Sequence, residues 1–304
     1  MTFAVGECAA LGTAVSWSIS SLAFALASRR VGGLPTNQFR LLAAVPGLLL
    51  LHVVLLGELW PSLPAGDLLL LGASGLAGLV LGDLGYFYAL AVIGPRTSSV
   101  LMATWPGMAT AIIWACGTET PSLQMAGGVA VTFTGVVLVL LRGRDGSLWN
   151  EAPSPRQRRL AIAGALLGAL GQAGGSVLVN IVAVRSTLPG LSAALVRMVA
   201  AAVGIVAVAA LRGEAKAWLR VLADRRACGG ALIGTLFGPI LGVWLSMVAL
   251  AHSPVGVAAT LMATTPVFLM PIARVVYGAR IGVLGVVGTL LAVGGVALLK
   301  LDWA

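Results

Sequence analysis

One apolar block occurs twice in this chain, at a fixed spacing of 160 residues. Leu-Met-Ala-Thr at 101–104, with Pro106 just beyond it, returns at 261–264 with Pro266 just beyond it. The same offset relates further glycines, namely Gly78 to Gly238 and Gly82 to Gly242. A duplicated apolar unit that is interrupted by glycine and proline is typical of a transporter with two related halves.

The composition indicates a membrane protein. Hydrophobic residues make up 59% of the 304 residues and charged residues 10%, against about 25% charged residues in soluble domains. The apolar segments are about 20 residues long, enough to cross a hydrocarbon layer, and they lack the alternation of barrel strands. The net charge of +9 lies in short loops without interleaved aromatic residues, which argues against nucleic acid as a partner. The sequence therefore predicts an all-α, multi-pass protein whose surroundings are a lipid bilayer.

Ten apolar segments predict ten transmembrane helices in two sets of five. The predicted helices are 3–27, 39–57, 68–93, 97–117, 123–141, 160–183, 191–211, 228–251, 255–276 and 281–299. A polar linker, 143–159, separates a first five-helix repeat, 1–142, from a second, 160–304. Because five is odd, homologous units must enter the membrane in opposite orientations, which implies inverted repeats and a shared site near the midplane. Similarity is too weak to fix the register of helices one and two against six and seven.

The loop charges predict the orientation. Fourteen arginines and lysines, Arg96 among them, fall in loops on one side, and only Arg185 and Lys300 fall on the other. The positive-inside rule places the crowded side in the cytoplasm and both termini outside the plasma (inner) membrane. The basic stretch 212–226, which contains Trp218, is either a short interfacial helix or a solvated loop.

Small residues and prolines mark special places in the predicted helices. The Gly-x-x-x-Gly pair that begins at Gly78, and its repeat from Gly238, predicts close helix contacts, by packing alone or as a sliding surface. Pro106 and Pro266 each remove a backbone hydrogen bond inside a helix, so the nearby carbonyls need other partners. The threonines beside these breaks either bond back to their own helix or line a cavity, and we expect a cavity. They are Thr104, Thr264 and Thr265.

Asp83 is the carboxylate that lies deepest inside a predicted helix, where a charge is unfavourable and is a functional hypothesis by default. Tyr86 lies one turn further on and shares its face. Burial disfavours the charged carboxylate and a nearby arginine favours it, so Asp83 can exchange a proton and couple transport to a proton gradient. The alternative is a permanent structural ion pair with Arg40. The second half has Val243 at this position, so the site is not symmetric.

Arg197 lies early in helix seven, as Arg40 does in helix two. It is either a counter-charge for an anionic or zwitterionic substrate or a side chain that snorkels to the interface. Polar residues at four-residue spacing form a stripe on helix six, and helix one has a weaker version; both are either interhelical contacts or cavity wall. The stripes consist of Gln172, Ser176 and Asn180, and of Ser16, Trp17 and Ser20. Trp244 adds an aromatic wall in helix eight, with core packing as the alternative.

Signals for an enzyme are poor. The sequence has no HExxH pattern, no glycine-rich phosphate loop and no metal-binding arrangement of its three cysteines. Val80-Leu81-Gly82-Asp83 lacks the first glycine of the GxGD pattern of intramembrane proteases. We therefore expect neither an enzyme nor a cofactor.

These features resemble the drug/metabolite transporter superfamily, in its form with two EamA-type domains, over nearly the whole chain. The resemblance rests on the five-plus-five helices, the early arginines, Gly82-Asp83 followed by Tyr86-Phe87-Tyr88, the proline-broken segment at 261–266 and the glycine-rich last helix. It implies a carrier for a small metabolite, often an exporter of amino acids or related compounds, driven by an ion or substrate gradient. Members of the family are generally drawn with both termini in the cytoplasm, which is the opposite of the prediction from the loop charges.

Two classes of function follow. A secondary carrier has polar residues from both halves around one midplane cavity and alternates access to it; within this class, metabolite uptake or multidrug export is the alternative to metabolite export. A non-transporting scaffold or assembly protein has its polar residues paired off. The sequence does not fix the oligomeric state, the substrate, the direction of transport or the coupling ion.

Overall fold

A computed structural model describes residues 2–116, 123–142, 153–186, 188–252, 258, 261–262, 264–278 and 282–300. The helices of the first half are α1 (Thr2–Val31), α2 (Gly33–Leu56), α3 (Ala65–Gly75), α4 (Asp83–Ile93), α5 (Pro95–Met102), α6 (Trp105–Ala115) and α7 (Leu123–Arg142). Those of the second half are α8 (Pro155–Arg185), α9 (Gly190–Leu211), α10 (Leu219–Ala223), α11 (Arg225–Thr235), α12 (Leu241–His252), α13 (Thr265–Tyr277) and α14 (Val283–Lys300). Most of the predicted linker, 143–152, lies outside the described residues.

A wider helical turn occurs at the same place in each half. The π-helical segment π1 (Leu76–Gly82) joins α3 to α4, and π2 (Leu236–Ile240) joins α11 to α12. Both segments contain the repeated glycines, Gly78 and Gly238. The predicted helices three and eight are therefore each one continuous helical run with a π-helical centre.

Six helical runs are long and apolar enough to cross a membrane, which makes the described fold that of a multi-pass membrane protein. They are Val5–Val31, Gly33–Leu56, Ala65–Ile93, Pro155–Arg185, Gly190–Leu211 and Arg225–Ala249. Three shorter apolar helices accompany them, at Ala126–Val139, Thr265–Val276 and Val283–Leu298. The predicted count of ten is not confirmed by this criterion: helix four is broken between α5 and α6, and much of 253–263 in helix nine lies outside the described residues.

Two helices begin five or six residues earlier than predicted, for different reasons. Helix two begins at Gly33 instead of 39, because its polar first turns are buried and bonded: Asn37 Nδ2 donates to Leu79 O at 3.1 Å and Gln38 Nε2 to Ala215 O at 2.7 Å. Helix six begins at Pro155 instead of 160, because Ser154 and Gln157 form a capping box that satisfies its first amides.

The basic stretch 212–226 contains the short helix α10 and packs onto the protein. Val221 is fully buried in a cluster with Ala27 and Phe39. Gln38 fixes the stretch from the other side, since its Oε1 accepts from the Trp218 amide at 2.9 Å. The interpretation as a plain solvated loop is therefore wrong for this segment, although its arginines and Lys216 are exposed.

Glycines bring α8 against the α3–α4 run. A Cβ added at Gly164 would lie 2.8 Å from Gly85 O, and one at Gly168 would lie 3.0 Å from Gly82 O. Further along, Ser74 Oγ donates to Gly175 O at 2.7 Å. Only glycine fits at these contact positions, so the backbones approach closely and the polar residues on α8 are held directly beside π1 and α4.

The equivalent contacts of the two halves fix the register that the sequence left open. Gly78 packs against Gln172 of α8, and its repeat mate Gly238 packs against Ser20 of α1, which confirms the prediction of close contacts at both glycines. The predicted helix six (α8) is therefore the repeat mate of the predicted helix one (α1), at an offset of 152 residues, and Gln172 is equivalent to Ser20.

Helices two and seven are related in the same way, at an offset of 157. Gly33 packs against Phe87 and Gly47 against Ile240; the second half repeats these contacts with the equivalent residues. The repeated contacts are Gly190 with Met247 and Gly204 with Val80. Arg40 and Arg197 are therefore structural equivalents, because they too differ by 157.

The homologous helices α7 and α14 contact each other in antiparallel directions. A Cβ on Gly135 would collide with Gly288 O and Ala292 N. A Cβ on Gly295 would collide in the same way with Gly128 O and Thr132 N, so neither position has room for a side chain. Residue numbers fall along α14 as they rise along α7, and each contact is repeated with its mates at the offset of 160. Thr132 and Ala292, which are mates, meet in the middle of the contact, with Thr132 Oγ1 at 3.5 Å from Ala292 O.

Candidate functional site

A buried ion pair lies between α2 and α4. Arg40 Nη2 donates to Asp83 Oδ2 at 2.6 Å, and the two residues are 9% and 2% exposed. The guanidinium carbon of Arg40 lies 5.0 Å from the ring centre of Phe87 and 6.0 Å from that of Phe24. The aromatic faces shield the cation from solvent and interact favourably with its charge. The geometry matches the structural alternative for Asp83, which named Arg40 as its partner.

Groups from the second half reach the same carboxylate. The Gln172 amide and the positive charge of Arg197 both act on Asp83. Gln172 lies against π1, since its Oε1 would be 3.0 Å from a Cβ on Gly78. Ser176 follows on the same face and donates to Gln172 O at 2.7 Å. Asp83 therefore pairs with Arg40 from the first half and lies within electrostatic range of Arg197 from the second.

Tyr86 connects three helices one turn beyond Asp83. Its hydroxyl lies 3.2 Å from Ser21 Oγ in α1 and 3.3 Å from Ser99 Oγ in α5. Neither serine is predicted as a site residue from the sequence. Ser21 directly follows Ser20 on a helix of mixed polarity, so its orientation toward Tyr86 depends on the packing of α1 against α4.

The threonines beside the prolines bond back to their own helices. Thr104 Oγ1 donates to Leu101 O at 2.7 Å, Thr264 Oγ1 to Leu261 O at 2.5 Å and Thr265 Oγ1 to Met262 O at 2.8 Å. In the second half Thr265 thus satisfies the Met262 carbonyl that Pro266 releases, whereas in the first half Thr104 bonds to Leu101 O and not to the carbonyl of Met102, which Pro106 releases. Thr104 is fully buried, and the cavity-lining role of the three residues stays a prediction.

The polar residues of α1 hold it against the α11–α12 run. Ser16 Oγ donates to Phe237 O at 2.7 Å and Ser20 Oγ to Gly234 O at 2.8 Å. The Trp17 indole occupies the space above Gly242. These contacts are the second-half counterpart of those that α8 makes with π1.

The structure brings some of the sequence-predicted residues together and separates others. Asp83, Gln172 and Arg197 form one group, which Ser176 extends along α8 and Tyr86 along α4. Asn180 is exposed, at the far end of its stripe, and Trp244 is half-buried in α12 without a hydrogen bond to a described residue. Phe24 and Phe87 belong to the group but give no sequence signal, because phenylalanine is an ordinary residue in an apolar helix.

Two other residues take positions that the sequence did not predict. Arg96, counted as a loop charge, is 2% exposed and lies against Gly285 of α14. His52, which is isolated in the sequence, is fully buried: its Nδ1 lies 2.7 Å from Glu58 O and its Nε2 lies 2.9 Å from Ser192 Oγ. Within the described residues, no group of three histidine, cysteine or acidic side chains is placed to hold a metal ion.

Comparison with known proteins gives one family and one fold. The model of the EamA-like transporter family matches the chain twice, over residues 4–141 and 159–301. A crystal structure described only as that of a protein is similar at a TM-score of 0.60 and 19% identity, covering 97% of this chain and 98% of the other. At that identity the likeness concerns the fold alone. No curated protein matches the sequence.

Proposed function

The chain belongs to the EamA-like transporter family, and from this premise we propose that it is a secondary carrier that exports an amino acid or a related small metabolite by alternating access. The observation that carries the proposal is the duplicated packing between the halves: the contact of α1, from the first half, with π2, from the second, recurs between α8, from the second half, and π1, from the first. Two equivalent bundles about one charged centre can exchange their arrangements, which opens the centre to each side in turn.

The proposed architecture has ten spans in two inverted repeats. The six long runs are completed by the α5–α6 pair, α7, a ninth span that ends in α13, and α14. The antiparallel contact of α7 with α14 supports the inversion, because homologous helices that run in opposite directions belong to units of opposite orientation. The proposed repeats are 1–142 and 160–304, with 143–159 between them.

We place the substrate near the group formed by Asp83, Gln172 and Arg197. Four further residues, Tyr86, Ser176, Trp244 and Trp17, stand on helices that pack around this group. Asp83 is the proposed proton-coupling residue, since it is a deeply buried carboxylate that pairs with Arg40 from the first half and lies within electrostatic range of Arg197 from the second. The pair with Arg40 favours the charged form of the Asp83 carboxylate, and binding of substrate or of a proton would produce the other state.

The proposed orientation has both termini outside. The exposed arginines of 212–226 and Lys216 support it, because they form a basic rim at the end of α9 and the start of α11. Arg96 weighs less in this argument than the sequence suggested, because it is buried.

Counterflow in vesicles tests the carrier function. Purified protein would be reconstituted, the vesicles loaded with single unlabelled amino acids, and uptake of trace labelled amino acid measured. A carrier gives saturable, transient accumulation of at least one compound in the absence of any ion gradient. A folded protein that shows no exchange of any compound beyond empty vesicles would favour the scaffold alternative.

A further inference from the structure

We propose that Arg197 binds a carboxylate of the transported molecule, in the place that Asp83 takes beside Arg40. This inference rests on the proposed carrier function and deepens it, because it assigns a chemical class to the substrate. It arises from the equivalence of two arginines of which, among the described residues, one has a bonded counterion and the other has none.

The backbone positions of the two arginines are equivalent. Each lies seven residues after a glycine, Gly33 or Gly190, that packs against the helix opposite. At 1.5 Å per residue, each is about 10 Å along its helix. With the two halves inverted, Arg40 and Arg197 approach the midplane from opposite sides of the membrane.

Their partners differ. The repeat mate of Asp83 is Val243, so the residue that neutralises Arg40 has no acidic counterpart near Arg197. Among the described residues Arg197 has no hydrogen bond and no ion pair, and its Nε is shielded from solvent without a partner. The carboxylate that acts on Arg197 is Asp83, which Arg40 already binds at 2.6 Å.

The resulting charge balance determines the ligand. Arg40, Asp83 and Arg197 together carry one net positive charge in an apolar interior, where an uncompensated charge is unfavourable. One added negative charge neutralises the group, so a carboxylate is a better match than a doubly charged phosphate. The planar guanidinium also binds a carboxylate through two parallel hydrogen bonds.

The guanidinium of Arg197 lies directly against α8. Its Nη2 would lie 3.5 Å from a Cβ on Gly175, which is an ordinary contact distance, so the glycine lets the guanidinium approach the α8 backbone. The Gln172 amide lies one turn away on α8 and provides both a donor and an acceptor for the rest of a polar ligand.

The test supplies the missing counterion within the chain. Val243→Asp copies the first half, in which Asp83 sits at this position, and the new carboxylate should occupy Arg197. Val243→Asn has nearly the same size without the charge and is the matched control. Arg197→Ala removes the guanidinium itself. The probes are the standard L-amino acids, each measured beside its α-carboxamide, by thermal unfolding of the purified protein and by counterflow in vesicles.

We expect at least one amino acid to stabilise the wild-type protein and to exchange, whereas its carboxamide does neither. Val243→Asp and Arg197→Ala should weaken this apparent affinity about ten- to hundredfold, as for loss of a charged hydrogen-bond pair, and Val243→Asn should retain it. Val243→Asp should also unfold at a higher temperature than Val243→Asn, which shows that both variants fold and that Arg197 accepts the carboxylate.

The opposite results overturn the inference. Equal response to acid and amide, no response to any carboxylate, or unchanged amino acid affinity in Arg197→Ala and Val243→Asp would each do so. If the protein exchanges only compounds without a carboxylate, the carrier function stands and the carboxylate assignment falls. If the folded protein exchanges nothing, the carrier function itself falls.

Discussion

At the scale of single residues, the Arg40–Asp83 pair determines the properties of the centre. Both side chains are nearly inaccessible to water, so each depends on the other for compensation of its charge. In an interior of low polarity, removal of one partner leaves a buried charge, whereas removal of both leaves none. The contribution of the pair to stability is therefore better measured by comparing single with double substitutions than inferred from the short distance between the two side chains.

We expect Asp83→Asn to lower the free energy of unfolding by about 3–5 kcal/mol, because the Arg40 guanidinium stays buried without a counterion. The double variant Arg40→Met, Asp83→Leu should recover most of this loss. Thermal unfolding in detergent measures both. If the single variant is as stable as the double variant, Asp83 does not compensate Arg40.

Proton coupling makes a separate prediction for the same residue. In vesicles with an imposed pH gradient, the wild-type protein should accumulate its substrate, and Asp83→Asn should lose this accumulation while it keeps exchange without a gradient. Gradient-driven accumulation that is unchanged in a stable Asp83→Asn protein would exclude coupling through this carboxylate.

At the scale of helices, the contact of α7 with α14 depends on glycines that meet backbone atoms. Backbone cannot move aside as a flexible side chain can, so even a methyl group there separates the two helices. Both helices also carry glycines that contact nothing within 4 Å, namely Gly127 and Gly294. Each helix thus contains a glycine without a contact, at which a substitution can serve as the control for a substitution at a contacting glycine.

Gly135→Ala should lower stability by about 1–3 kcal/mol through overpacking, and Gly295→Ala should do the same because it makes the equivalent contact. Gly127→Ala and Gly294→Ala should leave stability unchanged or raise it slightly, through better helix propensity. Melting temperatures of the four variants provide the comparison. Equal effects at contacting and non-contacting glycines would contradict the described packing.

The start of α11 depends on one carboxylate at the surface. Asp224 accepts hydrogen bonds from the Ala227 and Arg226 amides and pairs with Arg30 at 2.7 Å. The Ala227 amide first, and then the guanidinium of Arg30, hold the pKa of Asp224 below its usual value. A lowered pKa in the folded state means that the contribution to stability is complete above the usual aspartate pKa and is lost as the pH falls through the lowered one.

Asp224→Asn should keep the helix cap, because asparagine also accepts from the first amides. It should lose the pair with Arg30 and, with it, this part of the acid dependence. Melting curves of wild type and variant between neutral and acidic pH should therefore converge at low pH. Curves that stay parallel over the whole range would show that Asp224 makes no pH-dependent contribution.

At the scale of the whole molecule, the proposed orientation rests on the basic rim and can be tested at two described surfaces. In a background without native cysteines, Ala223→Cys in α10 should react with an impermeant thiol reagent only after cell lysis. Glu58→Cys, beyond the end of α2, should react in intact cells. The reverse pattern would place both termini in the cytoplasm, as the family is generally drawn.

The sequence predicts the apolar runs and the duplication well, because lipid requires long apolar helices and a duplicated unit keeps its glycines. It also identifies Arg40 and Asp83, since charges are rare in such segments. It does not predict that helix two begins at Gly33, because the polar residues there are buried by contacts with π1 and with the stretch 212–226, which are distant in sequence. The register of helix one against helix six likewise depends on packing at Gly78 and Gly238 instead of on residue identity.

The surfaces of α7 and α14 meet as two copies of one surface do in a symmetric dimer, where each contact occurs twice and one position faces itself. Thr132 and Ala292 occupy that position. Because both copies belong to one chain, their association is intramolecular, and its effective concentration is set by the connecting segment instead of by the amount of protein in the membrane. A surface too weak to pair two separate proteins therefore suffices here. The two copies are free to diverge in sequence, as threonine and alanine at the shared position already do.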